Sequence, residues 1–588
     1  MNKDKNRFSF NHFKRLLFIQ RIFMRSLLFV LIILSLIFAK HYGFCDESEP
    51  IKQTEAKTMV LQKELSVKEA ITLALENNMD VMVDKFNPKI KGEDITNEKA
   101  KFDPTYYLKV TTDVSLKPSG SSLAGADVVV NKNLSWDTGF KGKILSGASY
   151  SLDFTNKRTR TNSSFSSLNP QYVTEIKLNA TQPLLKNFGI DVNSTDIKIA
   201  KNNKDISLNQ FKDTVMTTIS DVENTYWDLV FSIEDYKVNQ LSLKRAEDFL
   251  ERTKKQVEVG TLAPIDITDA EAEVAKREEG IIIAEANIKN AEDKIKRLIN
   301  IKGDDNVWET QIIPTDQPVF AAEDFNLEEC IKTAFTRRPD YLQALADLEN
   351  KEIALKFAKN QLLPSLDFIG SLGYNGLSGK KQPSAFGNSS EKTFVLEPKG
   401  KPKIIKGEKV YEKFSLTEIE PEPFDRRANP LGESYEMALQ GIRSRDNFSW
   451  LIGLQLEIPL GNRAAKSNFT KKTLDSEKAV TGLSSLRQKI TVEMRNKVRD
   501  VRTNLERIKA TRKARELAVK KLEAEEKKYE VGMSTNHQVL EFQEDLAAAE
   551  ANELKAVIDY NKSLISVEKS KGTILEKNEI KLDNETNI

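Results

Sequence analysis

The chain carries the same pattern twice, and this constrains its fold more than any other feature of the sequence. Leu65 to Val81 (LSVKEAITLALENNMDV) returns as Phe325 to Tyr341 (FNLEECIKTAFTRRPDY), with Glu69 and Glu329, Ile71 and Ile331, Ala74 and Ala334, and Asp80 and Asp340 each 260 positions apart. Pro104 and Pro364 keep that offset, while the pairs Val259-Gly260 and Val531-Gly532 are 272 apart. A duplicated unit of about 240 residues predicts two like halves meeting about a pseudo-symmetry axis.

Each half reads helix, strands, long helix, helix. Val67, Ile71, Ala74 and Leu75 recur at helical spacing, and Pro104 ends the helical stretch. Tyr106, Leu108 and Val110 then alternate with Tyr107, Lys109 and Thr111, which is a strand apolar on one face only. After Pro364, Leu366, Phe368, Leu372 and Tyr374 alternate with Ser365, Asp367 and Ser371 in the same way. Returning strands end at Pro183 and Pro459. Ile176, Leu178 and Ala180, and in the second half Trp450, Ile452, Leu454, Leu456 and Ile458, form their apolar faces. Glu175, Lys177, Asn179, Thr181, Gln455 and Glu457 form the opposite faces. A soluble core has no use for such polar inward positions, but a sheet with lipid outside and water inside requires them.

Two very long helical patterns follow, about Ile190 to Glu258 and Ala464 to Glu530, without an internal proline. At about 1.5 Å per residue each reaches roughly 100 Å. Both stop at their Val-Gly pair, where glycine takes a left-handed cap, and the chain returns in helices of about Ile265 to Ile299 and Gln538 to Ile574. Their apolar positions are sparse, so each needs helical partners on its flanks. The expected fold class is α+β, with hairpin tips far from the strands.

Charged residues make up 30% of the chain while the formal net charge is only +2, so no basic field points to nucleic acid. Ser26 to Ala39 is an apolar run preceded by Arg15, Arg21 and Arg25, which reads as a signal peptide over 1–45, with Met24 as an alternative start. Gly43 and Cys45 stand at −3 and −1 of cleavage before Asp46; lipidation of Cys45 is the other reading, against which the bulky Phe44 counts. Past the N-terminus no apolar run approaches the roughly 18 residues of a membrane helix, so any crossing must use strands closed into a barrel. Of three histidines, His12 and His41 fall in the signal region and only His537 beyond it. No His-based metal site or triad can be built, no phosphate-cradling loop is present, and nothing calls for a cofactor. Cys330 sits on the apolar face of its helix as a small buried hydrophobe. The chain reads as no enzyme.

Taken together, the residues resemble those of the TolC-like outer membrane efflux proteins. The resemblance spans about Leu65 to Ile574 and is carried by Asn78-Met79-Asp80 with Arg338-Pro339-Asp340, by the transitions Thr181-Gln182-Pro183-Leu184-Leu185 and Glu457-Ile458-Pro459-Leu460-Gly461, and by the two Val-Gly tips. It implies a homotrimer with four main strands per chain in one twelve-stranded membrane β-barrel, continued by a helical barrel across the periplasm. It further implies an exit duct for a periplasmic adaptor protein and an inner-membrane pump. Small-molecule efflux and type I secretion of a protein fit equally; a trimeric coiled-coil spacer or adhesin without transport is the alternative from another class.

The domain reading is a linker at 46–64, a first repeat at 65–302, an inter-repeat linker at 303–324, a second repeat at 325–575 and a tail at 576–588. An insertion rich in Lys, Glu, Gly and Pro spans about 375–445, placed outside the cell as a loop or plug, and 133–154 reads as an additional hairpin about Leu145-Ser146-Gly147. The resemblance implies docking tips at Val259, Gly260, Thr261 and Leu262 and at Val531, Gly532, Met533 and Ser534. It also implies a gate at the periplasmic mouth, carried over to Asp266, Asp269, Tyr529, Gln538 and Glu541. Gln538 replaces an acid of the family pattern there, and Ser534 replaces an arginine.

Overall fold

The computed structural model describes residues 62–120, 125–300, 307–318, 320–382, 393–399, 403–405, 408–410, 414–419 and 434–582. The signal segment with Cys45, most of the first linker, parts of the second linker and of the 375–445 insertion, and the end of the tail lie outside them.

In chain order the elements are β1 (Gln62–Leu65), α1 (Val67–Asn77), α2 (Met79–Asp84), α3 (Phe86–Ala100), β2 (Thr105–Pro118), β3 (Val128–Lys143), β4 (Ser149–Thr161), β5 (Leu168–Pro183), α4 (Ile190–Asn193), α5 (Thr195–Glu258), α6 (Ile265–Ile299) and β6 (Gln311–Pro314). The second half runs α7 (Leu327–Arg337), α8 (Pro339–Asn360), β7 (Ser365–Lys381), β8 (Thr393–Pro398), β9 (Lys403–Ile405), β10 (Glu408–Val410), β11 (Phe414–Ile419), α9 (Tyr435–Ser444), β12 (Phe448–Glu457), α10 (Arg463–Glu530), α11 (Asn536–Lys571) and α12 (Ile574–Lys577). The duplication survives at the level of bounds: α1 and α7, the ends of α3 and α8, and the starts of β2 and β7 are all offset by 260.

Local chemistry explains the element ends. Ser66 Oγ accepts from Glu69 N at the start of α1, and Asn78 Oδ1 accepts from Asp80 N and Val81 N at the start of α2. Asn326 caps α7 in the same way through Glu328 N. The long helices α5 and α10, 64 and 68 residues, share one ending. Gly260 and Gly532 have φ of 82° and 74°, and the next amide reaches back five residues, Thr261 N to Gln256 O at 2.9 Å and Met533 N to Lys528 O at 2.8 Å. A Cβ on either glycine would meet nothing within 4 Å, so backbone handedness alone demands glycine there.

Three apolar clusters hold the helices. One gathers Leu65, Ile71, Phe211, Tyr226, Leu229, Ile295, Ile299, Ile565 and Ile574; the second gathers Ala334, Tyr341, Ile490, Met494, Ile508 and Tyr560; the third, near the tips, gathers Phe249, Ala270, Leu522, Val539 and Leu546. Cys330 is buried in the second, and burial pushes its thiol up.

The two linkers are not mere connectors. Within them β1 and β6 pair in parallel, and Asp316 ties the pair to the helices. Its Oδ2 accepts from Val67 N at 2.7 Å and lies 3.0 Å from the Tyr226 hydroxyl, which itself accepts from Asp316 N. Burial pushes the Tyr226 phenol up to about 12, so it stays a neutral donor.

The long strands form one antiparallel sheet in the order β12-β7-β5-β4-β3-β2. This corrects the four main strands implied by resemblance: the hairpin noted at 133–154 is longer, β3 and β4 standing between the two strands that the simpler pattern would pair. The insertion also starts later than expected, because residues 375–381 extend β7. Its described parts are paired strands (β8 with β11, β9 with β10) and the helix α9. Among the described residues no helix is long and apolar enough to cross a membrane.

Candidate channel wall and entrance

Strand register sorts the sheet into two faces. Tyr106, Phe140, Leu152, Leu178, Leu372 and Trp450 lie side by side across all six strands, each open to the surroundings. Ile452, Leu454 and Leu456 continue that face along β12, with relative exposures of 65%, 69% and 58%. One residue along, the neighbours are Tyr107, Gly139, Asp153, Lys177, Gly373 and Ser449. On this face Tyr107 Oη donates to Asp153 Oδ1 at 2.6 Å, and Asn179 Nδ2 donates to Asp153 Oδ2 and Ser151 Oγ, both at 3.1 Å. Lys109 stands opposite Asp137, and Gln455 opposite Asp367. The apolar positions expected at Ile176, Leu178, Trp450, Ile452, Leu454 and Leu456 thus share one face, and Lys177, Asn179, Gln455 and Glu457 share the other. A sheet built this way separates a hydrocarbon environment from water.

The helix α9 was not foreseen. It lies on the apolar side of the sheet, over the ends of β4, β5 and β7 away from the helical roots. Tyr435 Oη donates to Asn156 Oδ1 at 2.8 Å, its ring meets Trp136 and Tyr172, and Ala438 O accepts from Thr174 Oγ1 at 3.2 Å. The Ser378 hydroxyl donates to Ser434 O at 2.6 Å. Asn156, Thr174 and Ser378 are polar residues on the apolar face, and α9 buries all three with their partners supplied. Gly376 makes the contact feasible, since a Cβ there would sit 1.9 Å from Ala438 O. Gly376→Val should therefore weaken this seat by about 1 to 3 kcal/mol. Hydrogen exchange in α9 should quicken, whereas Gly453→Val, which meets only Leu451 at 3.9 Å, should leave it unchanged. Equal protection in both variants would show that α9 is held by something else.

At the other end the two helix tips are laced together. Tyr529 Oη donates to Gln256 Oε1 at 2.9 Å, and Asn536 Nδ2 donates to Asp266 O at 2.9 Å. Burial pushes the Tyr529 phenol up, and the Asp266 carboxylate nearby adds to the shift. Asp266 Oδ2 accepts from Ala263 N at 3.0 Å and so ties the tip loop to the first turn of its helix. Ser534, standing where the resemblance implies an arginine, lies 2.6 Å from Glu525 Oε1 and 3.1 Å from Gln538 Oε1, while Lys528 pairs with Glu525 Oε2 at 3.0 Å. The Ser534 hydroxyl, then Lys528, hold the Glu525 carboxyl below its ordinary value. The cation that pairs with Glu525 at this tip is Lys528, a residue the sequence reading did not single out. Val259, Thr261, Val531 and Met533 project freely and Leu262 is half-buried; Asp269, Gln538 and Glu541 are exposed. Farther up, Lys276 pairs with Glu544 and Arg245 reaches both oxygens of Glu550, fastening one hairpin to the other.

Among the described residues no cluster of His, Cys, Asp and Glu could hold a metal ion.

The model of a family described as outer membrane efflux protein matches residues 150–300 and 426–573, about half of the chain and falling in both repeats. Nodulation protein T of Rhizobium leguminosarum bv. trifolii is 28% identical over 190 residues, 32% of this chain; the chain spans 39% of the length of that curated relative. Among solved structures, the CmeC outer membrane channel of Campylobacter jejuni superposes with a TM-score of 0.58 at 15% identity, over 86% of each chain. The outer membrane protein VceC of Vibrio cholerae superposes with a TM-score of 0.56 at 13% identity, over 86% of this chain and 96% of that one. At such identities the likeness is one of fold.

Proposed function

The chain belongs to the outer membrane efflux protein family, and from that premise we propose that it is an exit duct: three copies close one barrel in the outer membrane and extend a helical tunnel through the periplasm. The observation that carries this reading is a single open sheet, apolar on one face and polar on the other, rooted directly in helical hairpins about 100 Å long. Among the described residues, one chain's sheet leaves the outer edges of β2 and β12 without a partner, and an open edge is not tolerated in lipid. Copies joined edge to edge solve the problem. A coiled-coil spacer or adhesin would account for the helices but has no use for the lipid-type face running across six strands.

The tips at 259–262 and 531–534 then face a periplasmic adaptor protein, and through it an inner-membrane pump. Their exposed apolar residues, Val259 at 73%, Val531 at 70% and Met533 at 78%, support a docking role. Asp266, Asp269 and Glu541, repeated in each copy beside Tyr529 and Gln538, would line the mouth with carboxylates and favour cations.

The test is reconstitution of the full-length protein in planar bilayers together with crosslinking in cells. Asp266→Ala with Glu541→Ala should lower cation selectivity and weaken block by multivalent cations, while photocrosslinkers at Thr261 and Met533 should capture an adaptor. Unchanged selectivity and block would leave these acids as helix-start residues. Release of the protein from membranes by sodium carbonate, with no conductance, would overturn the duct.

A further inference from the structure

The hairpin β3–β4 is a full-height part of the sheet. Four strands, β2, β5, β7 and β12, connect directly to helices at the root of the sheet; β3 and β4 instead join each other there through a tight turn at 144–148. That turn is fastened to the root. Gly189 N donates to Ser146 O at 3.1 Å, Gln182 Nε2 donates to the same oxygen at 3.2 Å, and Gly147, at φ 96°, packs so closely that a Cβ would stand 2.3 Å from Asn187 O. From this anchor β3 pairs with β2 as far as Val128 opposite Pro118, and β4 pairs with β5 up to Thr159 opposite Gln171.

The hairpin also carries its share of the apolar face. Phe140 and Leu152 sit in the row between Tyr106 and Leu178, with relative exposures of 48% and 40%. On the other face Asp153 joins Tyr107 to Asn179 across it. A hairpin folded outside the wall would have neither face matched to its neighbours. Strand direction alternates through all six, so β2 rises from the root and β12 descends to it. The β2 edge of one copy can therefore pair antiparallel with the β12 edge of the next, and copies can be added without breaking the alternation.

We infer that the membrane wall is an eighteen-stranded barrel, six strands from each of three copies, rather than the twelve-stranded one that four strands per chain would give. This rests on the trimeric duct reading above. With strands about 4.8 Å apart and tilted by about 40°, eighteen of them enclose a barrel about 36 Å across between backbones, against about 24 Å for twelve. Barrels of 16 to 18 strands leave an open aqueous channel, so the wall here is a wide outlet and the narrow point belongs to the helices.

End-on cryo-electron microscopy of the full-length, detergent-extracted assembly decides the matter: eighteen strands about 36 Å across are expected. In parallel, Phe140→Cys and Leu152→Cys in membranes should react with a bilayer-confined maleimide and resist a water-soluble one, as Leu178→Cys should. A trimer with a twelve-stranded wall and β3–β4 outside it, with the thiols introduced at Phe140 and Leu152 open to the aqueous reagent, would overturn the inference and leave the duct standing. Absence of any closed barrel would overturn both.

Discussion

Leu454→Arg should cost about 2 to 4 kcal/mol per chain, whereas Gln455→Arg should cost little. The two residues are adjacent on β12, near the middle of a ten-residue strand, and roughly 9 to 11 tilted residues span the hydrocarbon core. Leu454 stands beside Phe368 on the apolar face and is 69% exposed in the single chain, with hydrocarbon as its expected neighbour. Gln455 stands beside Asp367 on the polar face, where an added guanidinium meets water and a carboxylate. The incoming residue is the same at two adjacent positions of one strand, so the difference between the variants reports the environment of each face. Denaturant midpoints of the lipid-embedded protein, and the fraction that runs as a heat-modifiable oligomer, provide the measurement. If three copies share a barrel, the penalty is incurred three times and assembly should fail before folding does. Equal losses at the two positions would sink the assignment of faces.

The parts of this architecture that were legible in the sequence are those written in periodicity. Helix bounds such as Ile265–Ile299 and the two Val-Gly stops are local facts, fixed by spacing and by the single residue type that accepts a positive φ. The 260-residue offset of Glu69 and Glu329 likewise needed no structure. What was not legible is what depends on distant partners. Asp316 is an unremarkable loop acid until Val67 N and the Tyr226 hydroxyl, some 90 residues away or more, converge on it. The helix α9 carries a readable amphipathic pattern, but that it covers Asn156, Thr174 and Ser378 depends on the register of three strands. The tips are similar: Asp266 stands six positions after Gly260, but that its carboxylate turns back to Ala263 N, and that Lys528 pairs with Glu525 beside Ser534, are outcomes of side-chain placement.

Arg338→Ala is expected to destabilise the helical part by about 2 to 3 kcal/mol and to flatten its acid dependence. The Arg338 guanidinium reaches Asp340 with Nε and Nη2 at 2.9 and 2.8 Å, a bidentate fork, and Glu493 with Nη1 at 2.9 Å; Nη1 also lies 3.3 Å from Ser570 O. It therefore binds the start of α8 to both α10 and α11. Its side chain is 12% exposed, Asp340 and Glu493 about a third, so the cost is set below the 3 to 5 kcal/mol of a fully buried pair broken on one side. Burial alone would push the Asp340 carboxyl up; the Arg338 fork outweighs it and holds that carboxyl below its ordinary value. A depressed carboxyl stabilises the folded chain above its unfolded pKa, about 4, and the contribution fades as pH falls through the lower folded value. Asp213 works in the opposite sense, because burial and then the Asp340 charge raise its carboxyl, so its protonation favours the folded chain as acid is added. The native protein should thus lose stability below about pH 4 by an amount that Arg338→Ala reduces and Arg338→Lys, which keeps the charge but not the fork, only partly restores. Thermal unfolding of the helical signal between pH 7 and pH 3 measures it, and an Arg338→Ala protein with native stability and native acid dependence would reduce this node to an ordinary surface pair.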